Sequence, residues 1–222
     1  ISEKIDSTYS HIFVCRKDIT DNPYNFGGYP HGLFCSSYNA GYGSAALRGE
    51  KYRDSGIKAY QFMIDRAQSG PFSWWEGIGY PEPDGGIWAS GGSGFGGGSC
   101  PHMWGQSTAT KVLWDSLIVQ KSDSTLLIGR GIPPEWTESG KRTVIRDYPL
   151  NGGSKIGFSL VSSGDTLTLT LTGDGAGTCE TILELIGLRG NIESANCEYD
   201  NERGAVNIPK GVTQVTVRRK AE

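Results

Sequence analysis

The residues of this chain that are best suited to chemistry lie between Pro71 and Trp104, and Glu76 is the first of them. Its carboxylate directly follows the indoles of Trp74 and Trp75. Apolar rings around a carboxylate provide the low-dielectric setting in which such a group works as a general acid or base. We therefore predict a catalytic role for Glu76. The alternative is an exposed loop glutamate beside two tryptophans of a core.

The other candidates in this stretch are residues that suit ligand contacts. Asp84 stands in a Pro-Asp-Gly sequence, which is first of all a turn signal, so this aspartate could contact a ligand or only shape the turn. His102 comes two residues before Trp104, where its imidazole could bind a hydroxyl group or make a structural hydrogen bond. Trp88 supplies a further apolar ring.

The composition of residues 70–101 predicts an ordered loop with aromatic walls. Its glycine density is incompatible with a helix, because glycine loses more backbone freedom on ordering than any other residue. Its tryptophans are too apolar for a solvated linker. Flat rings stack on the C–H faces of sugars, while carboxylates bond hydroxyl groups. This stretch is therefore typical of a site for a polyhydroxylated ligand.

Composition and charge exclude several other classes of function. The 222 residues carry a formal net charge of −3 with no basic stripe, which argues against nucleic acid as a partner. No apolar run approaches the roughly 20 residues of a membrane span. The 5 cysteines show no Cys-x-x-Cys spacing, and the histidines show no metal-binding spacing, so we expect no cofactor and no metal. Cys179 and Cys197 could pair, although two buried thiols are the expected state.

Three helices are predicted before residue 122. Small residues at helical spacing (Ser37, Gly41, Ser44) predict a tightly packed helix over 32–47, and an apolar face from Ile57 to Ala67 predicts a second over 50–68. These two would form an antiparallel hairpin. A third helix is expected from Ser99 or Cys100 to about 121, with an exposed Lys111–Asp115 pair. Its apolar face is expected to consist of Thr110, Leu113, Trp114, Leu117 and Ile118.

Short strand-like runs separated by turn signals follow from about residue 125. The alternation of residues 166–172 is the clearest, with Leu167, Leu169 and Leu171 expected inside and the threonines outside. Regular spacing of such runs predicts an antiparallel β-sandwich over 125–222. The domain boundary is placed at 122–125.

The order of these motifs resembles the C-terminal end of six-hairpin (α/α)6-barrel glycoside hydrolases, in particular the α-L-rhamnosidase-like families. The similarity rests on Ser-x-Trp-Glu (73–76), Pro-Asp-Gly (83–85) and Pro-His-x-x-Gly (101–105) ahead of a β-sandwich. It implies an α+β fold, with partial barrel hairpins in 1–122 and a sandwich in 125–222. It also implies secretion or periplasmic export.

For the site, the resemblance implies that Glu76 is the general base of an inverting hydrolysis. It assigns substrate contacts to Trp75, His102 and Trp104. The general acid would lie on an earlier hairpin, so the expected partners are a carbohydrate and a missing N-terminal part of the same enzyme. The isolated chain would then be inactive. The alternatives are a carbohydrate-binding module without catalysis and a structural module.

Overall fold

The structure is a computed structural model that describes residues 2–10, 34–48, 51–65, 68–78, 96–97, 99–121 and 124–221. It divides into two compact units, Ile1–Asp115 and Ser116–Glu222. This division precedes the boundary expected at 122–125, because the third predicted helix ends at Leu117 and Ile118–Gln120 is already a strand of the second unit. Within the described residues, no helix is long and apolar enough to cross a membrane.

The predicted fold class is wrong in its helical part. Helix accounts for 29% of the described residues, and the larger architectural feature is a pair of five-stranded sheets. The helices do not form the hairpins of an (α/α)6 barrel. The described helices are α1 (Ser2–Ser10), α2 (Ser36–Arg48), α3 (Arg53–Asp65) and α4 (Met103–Leu117).

Helices α2 and α3 pack closely against one another, and glycines make the close approach possible. A methyl group added at Gly43 would lie 2.7 Å from the Ala59 Cβ, and one added at Gly56 would lie 2.8 Å from the Leu47 Cγ. Of the small residues predicted for this role, Ser44 is buried, whereas Gly41 is exposed and has open space around it. The i, i+3, i+4 pattern could locate the packed faces but could not identify the residues where the two backbones meet.

The buried face of α3 agrees with its sequence pattern, since Ile57, Tyr60 and Met63 are all buried. The face predicted for α4 is wrong. Val112 is fully buried, whereas Trp114 is 37% exposed. Asp115, predicted to lie in solvent, is only 6% exposed because it accepts hydrogen bonds from the Ser44 hydroxyl and the Lys111 ammonium group.

The second unit consists of two five-stranded sheets. One has the order β12-β15-β10-β9-β8, and every neighbouring pair in it is antiparallel. Its strands are β8 (Arg142–Pro149), β9 (Lys155–Ser163), β10 (Thr166–Thr172), β12 (Ile192–Ala195) and β15 (Gln214–Arg219).

The other sheet has the order β13-β14-β11-β7-β6. Its strands are β6 (Ile118–Gln120), β7 (Leu126–Ile128), β11 (Thr181–Glu184), β13 (Glu198–Asp200) and β14 (Ala205–Ile208). Strands β7 and β11 run parallel, so this sheet is mixed rather than antiparallel as predicted. The pairing joins Leu126 to Thr181, which are far apart in the chain, and no local pattern signals it.

The prediction for β10 is confirmed. Leu167, Leu169 and Leu171 are at most 5% exposed and belong to one apolar cluster with Leu183 and Val206 of the other sheet. Thr166, Thr168 and Thr170 alternate with them and are half-buried. One continuous core shared by both sheets is what a sandwich of two layers requires.

The first unit also contains short strands that position the loop of interest. They are β1 (Phe34–Cys35), β2 (Gln68–Gly70), β3 (Ser73–Trp74), β4 (Gly77–Ile78) and β5 (Gly96–Gly97). β2 and β3 form a hairpin, and β4 lies between β1 and β5. Part of the stretch predicted as irregular loop is therefore paired backbone.

Candidate functional site

Two segments distant in sequence are held together by backbone hydrogen bonds at the candidate site. The Glu76 N–H donates to the Ser99 carbonyl oxygen at 3.1 Å, and the His102 N–H donates to the Trp74 carbonyl oxygen at 2.9 Å. The segment that follows the β2–β3 hairpin thus runs beside the residues that lead into α4. Two of the predicted site residues, Glu76 and His102, lie on these adjacent segments.

The carboxylate of Glu76 is exposed, and only one of its two oxygens accepts hydrogen bonds from the described residues. Its Oε2 accepts hydrogen bonds from the Ser99 N–H at 3.2 Å and from the Ser99 hydroxyl at 3.4 Å. Among the described residues, Oε1 has no protein partner. The low-dielectric pocket between two indoles expected for Glu76 is therefore not what surrounds it; its orientation depends on Ser99 instead.

The two tryptophans before Glu76 have different positions. Trp74 is only 3% exposed, and its indole N–H donates to the Met63 carbonyl oxygen of α3 at 2.8 Å. It supports the site from within and offers no ring face to a ligand. Trp75 is half-buried. Successive side chains point to opposite sides of extended backbone, so one tryptophan of such a pair belongs to the core and the other does not.

His102 is the capping residue of α4. Its Nδ1 accepts a hydrogen bond from the Gly105 N–H at 3.1 Å, which satisfies one of the donors left unpaired at a helix start. An Nδ1 that accepts a hydrogen bond carries no proton in the neutral ring, so Nε2 carries it and can donate. The helix was expected to begin at Ser99 or Cys100; it begins at Met103 because His102 supplies the cap.

Three exposed apolar side chains lie on the same two segments, in the β2–β3 turn and at the start of α4. Trp104 is 52% exposed, and the centre of its ring system lies 6.3 Å from that of the His102 ring, with the two planes inclined by 53°. Met103 is 76% exposed and Phe72 is 71% exposed. We refer to Phe72, Glu76, His102, Met103 and Trp104 as the aromatic surface.

Sequence reasoning missed Phe72, which lies in the turn of the β2–β3 hairpin. Its φ of 52° is a left-handed conformation, an outlier for a bulky residue. The Gln68 side-chain carbonyl accepts from the Phe72 N–H at 2.8 Å, and the Gln106 amide donates to the Phe72 carbonyl oxygen at 3.2 Å. The sequence signal for Phe72 was its place directly after Gly70 and Pro71, which favour a tight turn. A phenylalanine in a tight turn is seldom placed there for packing.

Ser99 and Met103 were also missed, and neither carries a local signal of function. Two of the predicted site residues, Asp84 and Trp88, lie outside the described residues. Within the described part of the chain, no group of three or more histidine, cysteine, aspartate or glutamate side chains could hold a metal ion. Cys179 and Cys197 are free, half-buried thiols.

No protein-family model matches this sequence, and no curated protein matches it significantly. The chemistry of the aromatic surface follows from its own residues. It combines two exposed aromatic rings, a carboxylate with one unoccupied oxygen, and a ring N–H donor. No lysine or arginine occurs between residues 71 and 104. Such a surface can stack on an uncharged ring and bond hydroxyl groups, and none of its five residues is a lysine or an arginine.

Proposed function

We propose that the aromatic surface binds a carbohydrate and that the chain is the part of an inverting glycoside hydrolase that carries the general base, Glu76. The observation that carries the proposal is the exposed carboxylate of Glu76, oriented by Ser99, on a segment adjacent to the His102 cap and the exposed Trp104. Trp104 and Phe72 supply apolar faces for the sugar ring. His102 Nε2–H donates to a sugar oxygen.

The backbone conformation of Phe72 supports a role in binding. A non-glycine residue held in a sparsely populated region of backbone space stores about 1–3 kcal/mol and persists only where the surroundings enforce it. Here Gln68 and Gln106 hold both polar groups of the Phe72 backbone. The result is a phenyl ring that is mostly in solvent, which gives no packing energy in return. Stacking on a ligand gives this arrangement a physical purpose.

The role of Glu76 as a base follows from how its two oxygens are used. Oε2 is held by Ser99, so Oε1 is the oxygen that can take a proton from a water molecule. Inverting hydrolysis also needs a general acid, with the two carboxyl groups roughly 6.5–9.5 Å apart. As the resemblance implies, the general acid would lie on an earlier hairpin of the same enzyme, and that part of the enzyme would be the partner of this chain.

Two variants separate binding from hydrolysis in the active enzyme. Glu76→Gln keeps the shape of the side chain and its hydrogen bond to Ser99, so sugar binding should be nearly unchanged while hydrolysis falls by about 10²–10⁴-fold. Trp104→Ala should weaken binding instead, because the ring loses its apolar contact. Equilibrium titration with sugars and steady-state kinetics measure the two effects.

The controls are residues of the same type elsewhere in the chain. Glu202→Gln removes an exposed carboxylate and Trp136→Ala a ring that is 37% exposed, both in the second unit, and neither should change binding or turnover. Near-normal turnover of Glu76→Gln would place the base elsewhere. An unchanged KM for hydrolysis in the Trp104→Ala, Phe72→Ala double variant would refute the aromatic surface as the substrate site.

A non-catalytic carbohydrate-binding surface is the second candidate, and the exposure of Glu76 favours it. A carboxylate in open solvent lacks the water-excluding surroundings that strengthen electrostatic catalysis. In that case Glu76→Gln and Trp104→Ala should both weaken sugar binding. In an enzyme that contains this chain, Glu76→Gln should then not lower the rate of hydrolysis while sugar binding stays unchanged.

A further inference from the structure

The second unit contains a cavity that is separate from the aromatic surface. Its volume is about 500 Å³, and all of the residues that line it belong to the second unit. Cavities of about 300–1,000 Å³ are the usual size of small-molecule sites. The size alone suits one or two sugar rings, and the lining decides which chemistry it would accept.

The lining is organised by the register of three strands. Glu198 of β13 pairs with Asn207 of β14, and Asn207 pairs with Ile182 of β11. The three residues therefore form one row across the sheet, and residues directly opposite each other in neighbouring strands share a face. A carboxylate, an amide and an apolar side chain are thus presented side by side. Pro209 and Val212 extend the apolar part of the lining.

Three polar side chains in the lining of this cavity are available for a ligand. Glu180 and Glu198 are exposed, and in the described part of the chain their carboxylates make no hydrogen bond or ion pair with protein. The amide of Asn207 has no protein partner there either. Between them they offer carboxylate acceptors and an amide that can both donate and accept.

The charged groups that line the cavity are of both signs, two carboxylates and one ammonium group. Lys121 lies in the same lining as the two glutamates, so an anion meets carboxylates and a cation meets an ammonium group. A neutral polyol uses every group, because its hydroxyl hydrogens bond the carboxylates and its oxygens accept from the amide and from Lys121. Its C–H face contacts Ile182 and Val212.

We propose that this cavity, formed by residues of β11, β13 and β14 with Lys121 and Glu180, is a second binding site, for a neutral sugar of one or two rings. The proposal does not rest on the function of the aromatic surface, since the two sites share no residue. It assigns to the second unit a ligand of its own.

Cys197 lines the cavity and provides a direct probe of occupancy. It is a free, half-buried thiol, and Cys179 is a free, half-buried thiol that is absent from the lining. Trypsin cleavage after Lys155, Arg189 and Arg203 places Cys179 alone in peptide 156–189 and Cys197 alone in peptide 190–203. Alkylation by iodoacetamide can therefore be followed at both thiols in one sample of the whole chain by mass spectrometry.

The experiment measures the labelling rate of each thiol with and without neutral mono- and disaccharides, with glucosamine and glucuronate as charged probes. A neutral sugar should slow labelling of Cys197 and leave Cys179 unchanged. Glu198→Ala should raise the half-protecting concentration by about 10-fold or more, the usual effect of losing a hydrogen bond to a charged group. Glu202→Ala, in the same peptide but outside the lining, should not.

Three outcomes would overturn the proposal: no protection by any neutral sugar, equal protection of both thiols, or protection only by the charged probes. Trp104→Ala distinguishes this site from the aromatic surface. Protection of Cys197 should survive it, whereas loss of protection in Trp104→Ala would mean that the sugar acts through the aromatic surface and that the cavity is not a site. Failure of the aromatic surface to bind sugar leaves the Cys197 result unaffected.

Discussion

Phe72 combines a left-handed φ of 52° with a side chain that is 71% exposed. L-residues pay roughly 1–2 kcal/mol in this conformation, and glycine pays almost nothing. A residue that is both strained and solvent-exposed stabilises nothing within the fold. At the scale of the single residue, this is the strongest sign that the chain gives up stability for a surface property.

The strain and the ring at position 72 can be separated by two substitutions. Phe72→Ala removes the ring and keeps the strain, so stability should change little. Phe72→Gly removes both, so the free energy of unfolding should exceed that of Phe72→Ala by about 1 kcal/mol. Both variants should lose sugar affinity to the same extent. Urea unfolding and sugar titration of the pair check this, and equal stabilities would show that position 72 is not strained.

Among the described residues of the second unit, Glu184 has the most buried carboxylate, and the residue is 1% exposed. Its Oε2 lies 2.7 Å from the Arg130 guanidinium, which is 3% exposed, and 3.3 Å from that of Arg203. Two charges taken out of water remain tolerable only while they are paired. Glu184→Ala leaves Arg130 buried without this partner.

We expect Glu184→Ala to lower the free energy of unfolding by about 3–5 kcal/mol, the usual effect of breaking one side of a buried pair. Chemical denaturation followed by circular dichroism measures it. Glu202→Ala, which removes an exposed glutamate from the same unit, should change stability by less than about 0.5 kcal/mol. If both variants lose a similar amount of unfolding free energy, the ion pair between Glu184 and Arg130 contributes no more to stability than an exposed glutamate does.

At the scale of the element, the packing of α2 against α3 depends on two glycines. Gly43 of α2 faces α3, and Gly56 of α3 faces α2. A methyl group at Gly56 would lie 2.8 Å from the Leu47 Cγ and 2.9 Å from the Leu47 backbone nitrogen. A backbone atom cannot move aside as the end of a flexible side chain can. The separation of the two helices is therefore set by the absence of a side chain at this position.

Gly56→Ala should accordingly destabilise the first unit by about 1–3 kcal/mol, the typical penalty for overpacking. Gly41→Ala is the matched control, because Gly41 lies in α2 with nothing within 4 Å of an added methyl group. It should stabilise the same helix by about 0.5–1 kcal/mol, since alanine loses less backbone freedom than glycine. Thermal unfolding of the two variants should shift in opposite directions; parallel shifts would contradict the packing described for Gly56.

At the scale of the whole molecule, the low charge of the chain and of the segment that carries the aromatic surface bears on the kind of ligand. The net charge is −3, and residues 71–104 contain no lysine or arginine. Binding through stacking and hydrogen bonds to an uncharged ligand involves no charge pair for salt to screen. This distinguishes a neutral carbohydrate from an anionic polymer as the ligand.

Sugar affinity at the aromatic surface should therefore stay within about two-fold between low salt and roughly 1 M salt, where the screening length is only about 3 Å. Isothermal titration at the two ionic strengths is the measurement, with Glu76→Gln as the comparison that removes the one described charge of the site. A steep fall in affinity with salt would indicate an anionic or cationic ligand and would contradict the proposed function.

Local periodicity was sufficient for β10 and α3, in each of which one face is buried, although it was not sufficient for α4. The alternation of Leu167, Leu169 and Leu171 predicted which side of β10 is buried, and Ile57, Tyr60 and Met63 predicted the packed face of α3. Both patterns are read within a few residues and need no knowledge of the partner element. The composition of the stretch 71–104 indicates a site for a polyhydroxylated ligand, and this remains a prediction.

Tertiary structure alone decided the properties that depend on residues far apart in the chain. Ser99, rather than the adjacent indoles, orients Glu76, and Ser44 of another helix accounts for the burial of Asp115. The parallel pairing of β7 with β11 and the close packing of α2 against α3 also depend on residues that are distant in the chain. Each depends on which groups meet in space, and a hydrophobic pattern records that a face is buried without recording what covers it.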